Sequence, residues 1–299
     1  MRPVVLAIGG SDPSAGAGVQ ADLKTIHALG GYALTGVTSV TAQDSDAVGL
    51  VHDLPPEVVG AQLEMLLRDF PVAAFKTGML GNGRIVSLVA DIVAGRGLPL
   101  VVDPVLASTG GRSLLDEAGF EQLVKKLLPL ATLCTPNWSE AQALAGRPVR
   151  TTEEAIQAAQ MIRERGVEAV LVTGGHAPGE ESIDLLVSGV GVRSFRAPRI
   201  SGPTGTMRSV AGGPGRSAMD AAGGGGVDAH GTGCILAAAI ACGLAAGMPL
   251  EGAIERAKQY VSAAIRSALL LGQKRPILDH FHENDPPRCR EEAGPDPRS

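Results

Sequence analysis

The chain is 299 residues long, 44% hydrophobic and only 3% aromatic, with a formal charge of −5. That length and apolar content fill one large core, while net acidity with singly scattered Lys and Arg excludes a nucleic-acid or anionic-membrane footprint. Cys134, Cys234, Cys242 and Cys289 show no metal-type pairing, and an apolar strand begins straight after Met1-Arg2-Pro3 without a signal-peptide layout, so a reducing cytoplasm is expected.

In chain order, short apolar or β-branched runs alternate with segments of helical period. Val4 to Ile8, Ala33 to Thr38, Ala73 to Thr77, Leu98 to Val102, Thr132 to Thr135 and Ala169 to Val172 read as strands. Val19 to Leu29, Glu57 to Phe70, Val86 to Val93, Glu117 to Leu128 and Glu153 to Arg165 read as the helices between them. Alternation of this kind predicts βαβ units and a parallel sheet covered on both faces. Ile183 to Val187 and Val190 to Arg196 read as a hairpin turning at Ser188-Gly189, which adds an antiparallel edge. A last helix over Leu250 to Leu271 carries Ile254, Ala257, Val261, Ala264, Ile265 and Ala268 on one stripe. Ile235 to Gly247, the longest apolar run, is short of the roughly 20 residues that a membrane span needs. No domain boundary is evident in residues 1–282; the glycine-rich stretch 202–226 reads as a flexible excursion, with a lid as its functional alternative, and the charged, proline-rich residues 283–299 as a disordered tail.

The most informative turn is His230-Gly231-Thr232-Gly233-Cys234, which runs straight into an apolar helix. Gly231 and Gly233 let successive N–H groups converge, and the helix adds unpaired amides and a positive dipole end, so Gly231, Thr232, Gly233 and Cys234 read as an anion hole for a phosphate. Cys234 at the helix entrance reads as a thiol of lowered pKa able to take a proton, or as a small buried residue. Gly9 to Gly18 follows the first strand, where open α/β sheets place ligand-binding turns, but it matches neither the dinucleotide nor the P-loop fingerprint. Within it and just beyond, Asp12 and Asp22 read as helix caps or helix-surface carboxylates.

Together with Gln20-Ala21-Asp22-Leu23-Lys24, that loop resembles the start of the hydroxymethylpyrimidine/phosphomethylpyrimidine kinases of thiamine biosynthesis, within the ribokinase-like superfamily. The resemblance recurs in order at Thr41-Ala42-Gln43, Lys76-Thr77-Gly78-Met79-Leu80, Val102-Asp103-Pro104-Val105, Thr135-Pro136-Asn137, Gly174-Gly175-His176, Ala197-Pro198-Arg199 and the 230–234 turn, and so covers nearly the whole chain. It implies a three-layer α/β/α ribokinase-like fold with a mainly parallel central sheet and small antiparallel additions, in a cytoplasmic homodimer. It implies ATP-dependent phosphorylation of a hydroxymethyl aminopyrimidine and then of its monophosphate. Pyridoxal kinase, which resembles this fold and shares the turn, is the alternative within enzymes; a non-catalytic pyrimidine-binding protein is the alternative outside them.

The residues agree with that chemistry. Gln43 carries an acceptor and donors that match an aminopyrimidine edge, and Asp22 and Met79 complete the pocket. Phosphoryl transfer requires charge neutralisation and alignment, assigned to Mg²⁺ near Asp103 and Glu140, both at strand ends. Asp103 reads otherwise as a loop cap and Glu140 as a first-turn helix carboxylate. Asn137 and Thr173 fall on the ATP side. Three departures from the family pattern stand out: Thr173 where several relatives carry Lys, Ala229 where a hydroxyl residue commonly precedes the turn, and the length of the 202–226 excursion.

Overall fold

A computed structural model describes residues 2–108, 110–174, 180–200, 231–269, 271 and 275–282. Several sequence expectations lie outside these residues: His230, Ala229, Gly175 and His176, the 202–226 excursion, and residues 283–299.

Nine strands form one sheet in the order β3-β2-β1-β4-β5-β6-β7-β8-β9. They are β1 (Val4–Ser11), β2 (Tyr32–Gln43), β3 (Val48–Asp53), β4 (Ala74–Thr77), β5 (Leu100–Val102), β6 (Leu133–Cys134), β7 (Ala169–Val172), β8 (Glu181–Ser188) and β9 (Gly191–Pro198). The six strands from β2 through β1 and β4 to β7 are parallel; β3 pairs antiparallel with β2, as do β8 with β7 and β9 with β8. The helices are α1 (Gly18–Ala28), α2 (Pro56–Asp69), α3 (Gly83–Val93), α4 (Glu117–Gln122), α5 (Trp138–Ala145), α6 (Thr152–Arg163), α7 (Thr232–Ala245) and α8 (Leu250–Arg266).

Strand alternation sorts the apolar side chains onto two faces. Val4, Leu6 and Ile8 of β1 join the core under α2, α3, α5 and α6, while Val5 and Ala7 join the core under α1, α7 and α8. Both faces are covered, which is why the parallel strands read as continuous apolar runs. Helix α7 is apolar all round because it is buried all round: every residue from Ile235 to Gly243 is buried, and α1, α8 and the sheet enclose it.

The structure differs from the sequence expectations in five places. The chain does not pass from Thr38 directly to α2; Asp44 Oδ1 accepts the N–H groups of Asp46 and Ala47 at 2.9 Å, folding the strand back as β3. Asn82 caps α3 by accepting the Arg84 and Ile85 amides, so that helix starts at Gly83 rather than Val86. The helix expected over Glu117 to Leu128 is regular only to Gln122, then widens into a π-turn over Leu123–Leu127 and tightens at Pro129. Helix α8 ends at Arg266 instead of Leu271 because Leu269 pairs with Ile277 in an antiparallel bridge. The hairpin turn lies at Gly189-Val190, one residue beyond Ser188-Gly189.

Candidate active site

After β1 the chain moves outward to β2 and β3, then returns to the other side of β1 as β4. A crevice therefore opens beyond the carboxyl ends of β1 and β4, the position at which open α/β sheets bind ligands. The loop after β1 forms one wall. Asp12 is buried and organises it, accepting Ser14 N–H at 2.8 Å with one oxygen, and Ala17 N–H at 2.8 Å and Ser14 Oγ at 3.0 Å with the other. Asp12 thus shapes the loop that leads into α1, a helix that starts after Ala17 without a side-chain cap. Met79 lies just past β4 and packs on this loop: a Cβ on Gly10 would stand 2.9 Å from Met79 Sδ.

The anion-hole turn closes over the same loop. Gly231 has φ +87°, and a Cβ there would lie 2.0 Å from the carbonyl oxygen of Gly16. Only glycine allows that approach. Gly231 is the N-cap of α7, so the N–H groups of Thr232, Gly233 and Cys234 stand in a first turn whose own geometry offers them no partner. Ile235 N–H makes the first helical bond, to Gly231 O at 3.1 Å.

Beneath the turn lies a group that sequence reasoning missed. Lys76, in the middle of β4, is 1% exposed and donates to Asp22 Oδ2 at 2.9 Å, with Asp103 Oδ2 at 4.0 Å. Asp22 is a wholly buried partner of Lys76, not a helix-surface carboxylate. Burial raises the Asp22 pKa to about 6 against the attraction of Lys76. Burial also works against the Lys76 ammonium, but Asp22 and its other neighbours outweigh it and push that pKa up. The signal for Lys76 was a lone lysine inside an apolar strand, a position that is costly unless a counter-charge waits there.

Cys234 overturns the lowered-pKa reading. The nearby Lys76 ammonium and Gly18 amide favour its thiolate, yet burial pushes its pKa up to about 12. Desolvation and the nearby Asp103 and Asp22 charges exceed what Lys76 and the backbone amide return. At neutral pH Cys234 is a thiol.

Asp103 follows β5 and is 5% exposed; its N–H bonds Thr77 O at 2.9 Å. Burial raises its pKa. Asp103 borders a small cleft with Thr77, Gly78 and Pro104. Glu140 belongs to α5, where it forms a capping box with Asn137: Asn137 Oδ1 accepts Glu140 N–H and Glu140 Oε2 accepts Asn137 N–H, each at 2.9 Å. The first-turn helix role is therefore real, and it aims the carboxylate: burial, then the charge of Asp103, push Glu140 up to about 8. Asn137 gives its carbonyl to the cap and keeps its amide donors. Thr173 pairs with Asn137 in a parallel bridge and donates its N–H to Pro136 O at 2.9 Å, which puts both on the far side of Asp103 from Asp22.

Gln43 ends β2, and Thr41 joins it to the end of β1, donating to Ser11 O at 3.0 Å with Gln43 Oε1 at 3.2 Å. Asp22 Oδ1, Thr77 Oγ1, Asp103 Oδ2 and Thr135 Oγ1 are buried without a hydrogen-bond partner. Orphaned polar atoms concentrated along strand ends mark a place built for a polar ligand.

Among the described residues no cluster of three or more His, Cys, Asp or Glu side chains forms a metal site. Asp103 and Glu140 make a smaller, all-oxygen pair whose charges raise each other's energy, a donor set that fits Mg²⁺ completed by phosphate oxygens. Among those residues, too, no helix is long and apolar enough to cross a membrane.

The phosphomethylpyrimidine kinase family model matches residues 12–210 and 223–279. A hydroxymethylpyrimidine/phosphomethylpyrimidine kinase from Rhizobium meliloti is 39% identical over 289 residues, 94% of this chain and 98% of that protein. The thiamine biosynthesis bifunctional protein ThiED from Geobacter sulfurreducens is also 39% identical, over 94% of this chain, which spans about half of that longer protein (52%). In three dimensions the chain is similar to Bacillus subtilis pyridoxal kinase solved as an ADP complex, with a TM-score of 0.81 at 31% identity, covering 96% of this chain and 100% of that one.

Proposed function

This chain belongs to the phosphomethylpyrimidine kinase family, and we propose that the crevice between β1 and β4 is where its phosphoryl transfer takes place. The reaction moves the γ-phosphoryl group of ATP onto the hydroxymethyl oxygen of the aminopyrimidine, releasing ADP and a proton, and then onto the monophosphate to give the diphosphate. The observation that carries the assignment is the seating of Gly231 on the Gly16 carbonyl, which brings the first amides of α7 to the loop at the switch point.

In this reading the amides of Thr232, Gly233 and Cys234 take up the charge on the equatorial oxygens of the migrating group. Gln43 and Met79 orient the pyrimidine, and Asp22, ionised at neutral pH by its pKa of about 6, accepts from the exocyclic amine. The Lys76 ammonium favours the charged forms of Asp22 and Asp103 against their burial. Cys234 stays a neutral thiol beside Asp103 and leaves the alcohol proton to depart late, which a loose transition state permits. Asp103 and Glu140 would hold Mg²⁺, which supplies charge neutralisation between the phosphates. The amide donors of Asn137 and the hydroxyl of Thr173 face the nucleotide.

The relative from Rhizobium meliloti at 39% identity carries a pyrimidine-kinase name and the one from Geobacter sulfurreducens a thiamine-biosynthesis name, which favours the pyrimidine over pyridoxal. The reading includes a homodimer, supported by Val40, Leu50, Val58 and Met65, exposed apolar residues on β2, β3 and α2, and a cytoplasmic location. Mass spectrometry of products formed from ATP, Mg²⁺ and hydroxymethylpyrimidine, with pyridoxal in parallel, tests the substrate: mono- and diphosphate of the pyrimidine are expected. Phosphorylation of pyridoxal alone contradicts the assignment.

A further inference from the structure

A second buried ion pair lies away from the catalytic cluster. Asp184 of β8 and Lys258 of α8 are 4% and 8% exposed, with Lys258 Nζ 2.7 Å from Asp184 Oδ2. Lys258 also reaches Ser182 Oγ at 3.4 Å. The other oxygen of Asp184 accepts the N–H of Gly174 at 2.9 Å, while the Gly174 carbonyl accepts from the Arg199 guanidinium at 3.4 Å. A Cβ on Gly174 would lie 1.9 Å from Ile183 O, so the backbone leaving β7 is pressed onto β8.

Replacing a buried ion pair by apolar residues of similar volume is often neutral, so stability alone is a weak reason to keep one. The bond to Gly174 supplies another. Thr173 precedes Gly174 directly and is tied to Asn137 by the bridge and to Pro136 O through its N–H. The Thr173–Gly174 peptide is therefore fixed at both ends, by the Pro136-Asn137 strand end and by Asp184.

We propose that Asp184, held by Lys258, is a positioning residue for the nucleotide edge of the crevice: its hydrogen bond to Gly174 sets where Thr173 stands relative to Asn137. The inference rests on the reading that Thr173 and Asn137 face ATP. Asp184 touches neither substrate; it acts through the backbone.

Two double variants separate positioning from folding. Asp184→Asn with Lys258→Met removes both charges and keeps an acceptor for Gly174; Asp184→Leu with Lys258→Met removes both charges and the acceptor. The leucine pair is expected to raise the KM for ATP roughly tenfold relative to the asparagine pair, with kcat and the pyrimidine KM alike in the two. Equal KM values for ATP overturn the inference, and so does a parallel loss in kcat and both KM values, the mark of a merely structural role. If the leucine pair is insoluble, Asp184→Ala with Lys258→Met, which also removes the acceptor, is measured against the asparagine pair: a raised ATP KM at matching kcat supports the inference and an equal ATP KM overturns it. A parent chain without ATP-dependent turnover contradicts the kinase reading instead, so the two failures are distinct.

Discussion

Lys76 and Asp22, 54 residues apart in sequence, meet at 2.9 Å in a fully buried ion pair directly under the anion-hole turn. Removing the ammonium strands two carboxylates, Asp22 and Asp103. Lys76→Met is expected to lower stability by about 3–5 kcal/mol, with Asp22→Asn in the same chain restoring part of it. Thermal denaturation of the two variants checks this; equal melting temperatures for Lys76→Met and the parent would show the pair to be energetically idle.

Cys234 separates two views of the turn. Because its thiol is held at a pKa of about 12, the pH–kcat profile between pH 6 and 9 is expected to show no thiol ionisation. Cys234→Ser, which keeps a small neutral side chain at the turn, should retain kcat within about tenfold. A loss of several orders of magnitude, with the profile's acidic limb removed, would make the thiol a base after all.

Gln43→Ala tests the pyrimidine side. The variant should raise the pyrimidine KM about 10- to 100-fold, since a lost paired hydrogen-bonding group is worth about 1–3 kcal/mol, and leave the ATP KM unchanged. Parental pyrimidine affinity by calorimetry removes Gln43 from recognition.

His280 makes stability sensitive to acid. It is 3% exposed, with Nδ1 3.2 Å from Thr25 Oγ1 and a partnerless Nε2. Burial, then Lys24 and His282, push its pKa from 6.5 down to about 4. The unfolded chain binds the proton that the folded chain refuses, so His280's contribution is intact above pH 6.5 and falls as pH drops toward 4. Asp22, raised from 3.8 to about 6, works the other way over most of that range. The comparison is therefore with His280→Gln: between pH 7 and 4.5 the parent should lose on the order of 2 kcal/mol more stability than the variant. Parallel curves would remove His280 from the pH dependence.

Much of this architecture was legible in the sequence. Apolar runs such as Val4 to Ile8 and Ala169 to Val172 mark central parallel strands because both faces of the sheet are covered, and the glycines at 231 and 233 mark a turn with a local reason. The missing parts depend on distant partners. Lys76 looks like one polar break in Ala74-Phe75-Lys76-Thr77 until Asp22 and Asp103 are brought beside it. Helix-entrance reasoning placed Cys234 correctly but gave its pKa the wrong direction, since local dipole and amide effects are visible in sequence and desolvation is not. Strand β3 was missed because its cause is one side chain, Asp44, closing a tight turn.

The central claim is that the amides opening α7 carry the migrating phosphoryl group, and Gly231→Ala tests it most directly. The added methyl meets the Gly16 carbonyl at a backbone angle that disfavours alanine, displacing the amides without touching the pyrimidine pocket. Steady-state kcat with ATP and hydroxymethylpyrimidine is expected to fall roughly 100- to 1,000-fold, while calorimetry returns the parental pyrimidine affinity and so certifies the fold. A folded Gly231→Ala chain that turns over at the parental rate contradicts the claim.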